Sequence, residues 1–186
     1  AQNFEPSGVF YDNVLVTSAV TDDNGGGGDE LTTNGDFETG DFTGWTNFCD
    51  NGTCAVTTDN PNGGDYAGSV FIDTLGANAV IKQERIGAGE VATGDTILVE
   101  LAIRGSVGPG GVVFLELFSE NVGGGVDNEG LRGPFFPTND WVQISEVFTL
   151  NGSPGDGITV QIATVTSGDA GSFVDLIVDD VSAVKQ

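Results

Sequence analysis

Apolar and polar residues alternate singly along much of this chain. In Thr96-Ile97-Leu98-Val99-Glu100-Leu101-Ala102-Ile103-Arg104, the two-residue period places Ile97, Val99, Leu101 and Ile103 on one face of an extended strand. Glu100 and Arg104 take the other face. A later strand, Trp141 to Leu150, sets Val142, Ile144 and Phe148 against Trp141, Gln143 and Ser145. The segment Val112 to Phe118 is apolar on both faces. There Val113, Leu115 and Leu117 suit a core, and Phe114, Glu116 and Phe118 point away from it. No stretch sustains a helical period. The pattern predicts strands near 31–38, 42–48, 53–58, 68–74, 78–86, 95–105, 111–119, 141–150, 157–166 and 173–184. So many short strands between Gly-rich turns predict an all-β fold, a β-sandwich of the jelly-roll type.

The ends of the pattern divide the chain. Residues 1–19 carry one strand pattern, in which Val9, Phe10, Tyr11, Val14 and Val16 form an apolar arm. Residues 20–30 are rich in Gly and Asp and read as a flexible linker. Residues 31–186 form the sandwich. The arm echoes the last strand: Val9-Phe10-Tyr11-Asp12-Asn13-Val14 matches Leu176-Ile177-Val178-Asp179-Asp180-Val181 in type. The arm therefore reads as the closing strand of a sandwich whose remainder is elsewhere.

Composition narrows the chemistry. The 30 glycines among 186 residues fit many tight turns and little helix. No apolar run is long enough to span a membrane. The formal charge of −23 repels phosphate backbones and anionic membranes, which argues against nucleic-acid binding. The chain has no His, so it lacks the usual general base and zinc ligand. It also has no Met and opens on Ala1-Gln2-Asn3, as a processed secreted protein or an excised piece would. Cys49 and Cys54 flank Asp50-Asn51-Gly52-Thr53. Asn-Gly is a type I′ turn signal, so a hairpin is expected to bring the thiols into a disulfide in an oxidising, extracellular compartment.

Four pieces, in order, carry a resemblance. They are Asn34-Gly35-Asp36-Phe37-Glu38 followed by Gly44-Trp45, then Ile81-Lys82-Gln83, then Trp141-Val142-Gln143-Ile144, then Val178-Asp179-Asp180-Val181. Over residues 31–184 the chain resembles carbohydrate-binding modules of the family 4/9/16/22 jelly-roll superfamily. The resemblance implies a calcium site built from Asp36, Glu38 and Asp180. Physical reasoning agrees in part: neighbouring first and last strands would crowd carboxylates that repel unless a cation sits among them. Strand alternation turns one of Asp179 and Asp180 inward, and Asp180 is the expected one.

The resemblance also implies a polysaccharide as ligand, and the net charge of −23 argues for a neutral one. Sugar recognition needs flat apolar faces and a few polar groups. The candidate ligand residues are Gln83, Arg85, Arg104, Phe114, Glu116 and Phe118, with Phe135 and Phe136 from a long loop over 121–140. Trp45 is expected in the core rather than on a platform. No hydrolase motif surrounds Glu116 and Glu120, so the protein is expected not to be an enzyme. The competing reading is a structural subunit of an extracellular filament. In it, residues 8–17 are donated to a neighbouring copy of the same chain.

Overall fold

The computed structural model describes residues 28–186. The expected arm, with Val9, Phe10, Tyr11, Val14 and Val16, lies outside the described residues. The ten strands are β1 (Thr46–Phe48), β2 (Gly52–Thr57), β3 (Ala67–Ile72), β4 (Asn78–Ile86) and β5 (Thr96–Val107). They continue as β6 (Val112–Glu120), β7 (Val126–Phe135), β8 (Val142–Thr149), β9 (Ile158–Val165) and β10 (Val174–Lys185). Two five-stranded sheets result, a first sheet ordered β1-β4-β9-β6-β7 and a second ordered β2-β3-β10-β5-β8. The strand pairs are antiparallel, and the architecture is the expected β-sandwich. No described helix is long and apolar enough to cross a membrane.

Alternation accounts for the core. Ile97, Val99, Leu101 and Ile103 of β5 are buried, as are Val113, Leu115 and Leu117 of β6. They meet Ile158, Val160 and Ile162 of β9 and Leu176 and Val178 of β10 between the sheets. Burial of this kind is the main favourable term in folding.

Four expectations need correction. Residues 31–38 do not form a strand, because Asn34 and Phe37 adopt φ of 52° and 57° and turn the chain. Residues 126–135, read as part of a long loop, form β7. It is an edge strand, mostly polar on both faces, so it carries no apolar alternation. The Cys49–Cys54 disulfide is present with a Cα–Cα distance of 5.9 Å, but no hairpin surrounds it. Neither Asn51 nor Gly52 has the positive φ of a type I′ turn, and β1 and β2 enter different sheets. The disulfide therefore closes a crossover between sheets. The end of the expected linker is also ordered: Lys185 N–H donates to the Asp29 carbonyl at 3.2 Å, and Glu30 bridges Val184.

Candidate functional site

The register of the first sheet lines up its outward side chains in rows. Phe48, Val80, Ala163 and Phe114 are successive partners across β1, β4, β9 and β6. The next row is Thr46, Lys82, Gln161, Glu116 and Leu131, and a third joins Thr159, Phe118 and Asn128. Inward positions on the same strands, such as Ile81, Leu115 and Ile162, are buried. One outer face thus carries Phe114 and Phe118 half-buried on either side of Glu116, with Phe48 at the far edge.

Polar groups occupy the centre of this face. Gln161 Nε2 donates to Glu116 Oε2 at 2.6 Å. Thr159 Oγ1 donates to Glu120 Oε1 at 2.6 Å. Lys82 Nζ lies 4.9 Å above the Phe48 ring and 2.8 Å from Glu84 Oε1. The Lys82 hydrogen bond holds the Glu84 carboxyl below its usual range. The one cation in these rows is therefore already paired.

The outer face of the second sheet differs. Loop residues 59–63 fold across its middle, so Ala102 and Asp179 are fully buried although they point away from the core. Asp179 accepts N–H donors from Asn62 at 2.8 Å, Gly63 at 3.2 Å and Asp180 at 2.8 Å. Burial pushes its carboxyl up to about 6 against the pull of those donors.

Of the expected ligand residues, Phe114, Glu116 and Phe118 come together on the open face. The other five lie elsewhere. Gln83 is fully buried and clamps the Thr33 backbone, accepting from its N–H at 3.1 Å and donating to its carbonyl at 2.6 Å. Arg85 sits in a bulge of β4 at φ 60°. Arg104 belongs to the second sheet, paired with Asp59 at 3.1 Å and 5.6 Å from the Trp141 ring centre. Phe135 stands opposite Val113 and packs on the core, while Phe136 is exposed just beyond β7. Sequence reasoning missed Phe48, Lys82, Gln161 and Leu131. Gln161 had a signal, being a lone polar position between Val160 and Ile162.

The three expected metal ligands do not all converge. Glu38 Oε1 accepts the N–H groups of Asp65 and Tyr66, both at 2.9 Å. Asp180 Oδ2 accepts from Asn62 Nδ2 at 2.6 Å. Asp180 is also not the buried member of its pair. It adopts φ 50° at a bulge and does not turn into the core, while Asp179 is the one covered, beneath loop residues 59–63. Among the described residues, no three His, Cys, Asp or Glu side chains form a metal-ligand group. Asp36 and Asp180 do line one cleft of about 80 Å³ with Glu30, Thr32 and the Asn34-Gly35 turn.

No family model and no curated protein sequence matches the chain. Solved structures do. The CBM22-1 xylan-binding domain of Paenibacillus barcinonensis Xyn10C aligns with a TM-score of 0.61 at 14% identity, over 85% of this chain and 95% of that one. TmCBM61, solved with β-1,4-galactotriose, aligns at 0.53 and 18% identity, over 85% of this chain and 99% of that one. The enzymatically active domain of bacteriophage CBA120 tailspike protein 4 aligns at 0.61 and 15% identity, over 84% of this chain but 21% of that one. The fold of this chain is that of the carbohydrate-binding-module β-sandwiches.

Proposed function

We propose that this chain is a non-catalytic, extracellular module that binds a neutral polysaccharide across the outer face of the first sheet. The observation that carries the reading is the Glu116–Gln161 pair, hydrogen-bonded at 2.6 Å between Phe114 and Phe118. Two rings offer apolar faces for sugar C–H groups, and the pair offers an acceptor and a donor for hydroxyls. Lys82, the cation of these rows, is engaged by Glu84, which disfavours an anionic ligand. The Cys49–Cys54 disulfide supports an oxidising location.

Affinity electrophoresis through gels containing xylan, β-1,4-galactan or alginate tests the reading. Retention is expected on a neutral gel and not on alginate. A Phe114→Ala/Phe118→Ala variant should bind about tenfold more weakly or worse, at about 0.5–1.5 kcal/mol per lost ring contact. A wild-type protein that migrates freely through every neutral gel would sink the proposal.

Calcium is proposed for the cleft that Asp36 and Asp180 line; Glu38 and Glu30, whose carboxylates already accept backbone N–H groups, are left out of it. Millimolar calcium should raise the melting temperature of EDTA-treated protein, and Asp180→Asn should abolish the rise. Identical melting with and without EDTA would count against a structural cation.

A further inference from the structure

At the pole where β3 ends and β10 begins, Phe71, Asp73, Leu75, Gly171, Ser172 and Phe173 line an open hollow of about 410 Å³. Its volume falls within the range of small-molecule sites. The hollow is separate from the first-sheet face, since Phe71 belongs to β3 of the second sheet.

Its aromatic walls are held in place. Phe71 is 40% exposed, although β3 is paired on both sides, with Thr53 of β2 and Asp175 of β10 opposite it. Phe173 lies against Gly108, where a Cβ would stand 2.6 Å from the ring's Cδ1. Gly108 N–H also donates to the Phe173 carbonyl at 2.9 Å. Any larger residue at Gly108 would displace the ring, so this glycine fixes where the wall stands. Leu75, half exposed, completes the apolar lining.

Asp73 supplies the polar side. It is exposed and lies outside the four ion pairs of the described residues. No Lys or Arg lines the hollow. Such a site favours a ligand that presents an apolar face and donates hydrogen bonds, and disfavours an anion. A second copy of this chain is a poor occupant. The patch is far smaller than a stable protein interface, and two surfaces of charge −23 repel.

We propose that this hollow is a second glycan site, taking one residue or one chain end of a neutral sugar. The sugar's apolar face would lie on Phe71 and Phe173, and adjacent hydroxyls would donate to Asp73. The inference rests on the glycan-binding reading above, but on different residues.

Titration of ¹⁵N-labelled protein with xylohexaose and with β-1,4-galactotriose, followed by amide shifts, tests both sites at once. The wild type and the Phe114→Ala/Phe118→Ala variant are compared. Saturable shifts at Asp73, Leu75, Gly171 and Phe173 are expected in both proteins. Phe173→Ala should weaken them about tenfold. Phe71→Ala is the alternative if Phe173→Ala fails to fold. Asp73→Ala should weaken them more than Asp73→Asn. Shifts at the first-sheet face without shifts at the hollow would overturn this inference and leave the main reading standing. Shifts at the hollow alone would do the reverse, and their absence from both sites would overturn both. Hollow shifts that vanish in the double variant, or that grow with protein concentration without sugar, would also overturn it.

Discussion

Phe37 shows how one residue departs from its neighbours' pattern. It holds a backbone φ of 57°, an uncommon conformation for a bulky side chain, and its ring is fully buried. The ring stacks on Trp45 at 5.2 Å, meets Phe42 edge-on at 6.1 Å and presses on Gly68. These contacts outweigh the local strain. Trp45 Nε1 donates to the Asn34 carbonyl at 2.9 Å, which ties the turn to the plug it carries. Phe37→Ala should therefore cost about 3–5 kcal/mol in denaturant unfolding. A loss below about 1 kcal/mol would mean that the plug is dispensable. Trp45 was legible as core from its sequence, whereas the turn was not, because an apolar residue among polar ones fits a strand equally well. Gln83 was misread for the opposite reason. Polarity suggested the surface, yet it shares a strand face with Ile81, and its amide satisfies both backbone groups of Thr33.

At the scale of elements, long alternating strands were legible and edges were not. β5 and β6 bury alternate residues on both sides of a two-residue period, which is the signal that alternation encodes. β7 pairs with β6 through two register shifts, around Phe114 and at Phe118. Its glycines and Pro134 suit an edge and hide it from any hydrophobic pattern. What fastens β7 across the sandwich is Arg132. Its guanidinium lies 4.4 Å over the Phe148 ring, pairs with Glu146 at 3.2 Å and donates to the Val147 carbonyl at 2.8 Å. These contacts join the edges of the two sheets. Arg132→Ala should cost about 1–3 kcal/mol, and Arg132→Lys should recover only part, because lysine lacks the planar fork. Equal melting of all three proteins would refute this role.

A second fastening lies at the end of β10, where Lys185 pairs with Ile97 of β5, as Phe148 does from the other side. Lys185 Nζ sits 2.7 Å from Asp95 Oδ2, and its hydrogen bond holds the Asp95 carboxyl below its ordinary value of 3.8. A depressed folded value means that the contribution is present above the unfolded value and is lost as acid protonates the group. Stability should therefore fall as pH drops below about 4, and Asp95→Asn should flatten that limb. Melting temperatures across the acid range check this. An unchanged acid limb in the variant would assign the loss to other carboxylates.

For the whole molecule, a chain charge of −23 leaves few places where a ligand needs no cation. The first-sheet face is such a place, with one paired lysine and an acid–amide centre. The fold class was legible because strand number and turn composition are global properties. Which residues share a face depends on register, and register depends on partners far away in sequence. Phe114, Glu116 and Phe118 could be grouped because they share one strand. Phe48 and Gln161 could not, since each reaches the face from a different strand. The acidic residues of the first turn and last strand were legible as neighbours, but loop residues 59–63, folded over the second sheet, decided which of them was covered.

The pairing of Asp29 and Glu30 with the end of β10 has a mechanical consequence. Residues 28 and 186 leave the sandwich side by side from the same pole, on antiparallel neighbours. Tension applied between them would open the Lys185–Asp29 and Leu31–Ala183 hydrogen bonds one after another, as a zip opens, instead of shearing them together. The weak direction lies along the line that joins residues 28 and 186. The first-sheet face, which takes no part in these bonds, would keep its shape while residues 29–31 peel from β10.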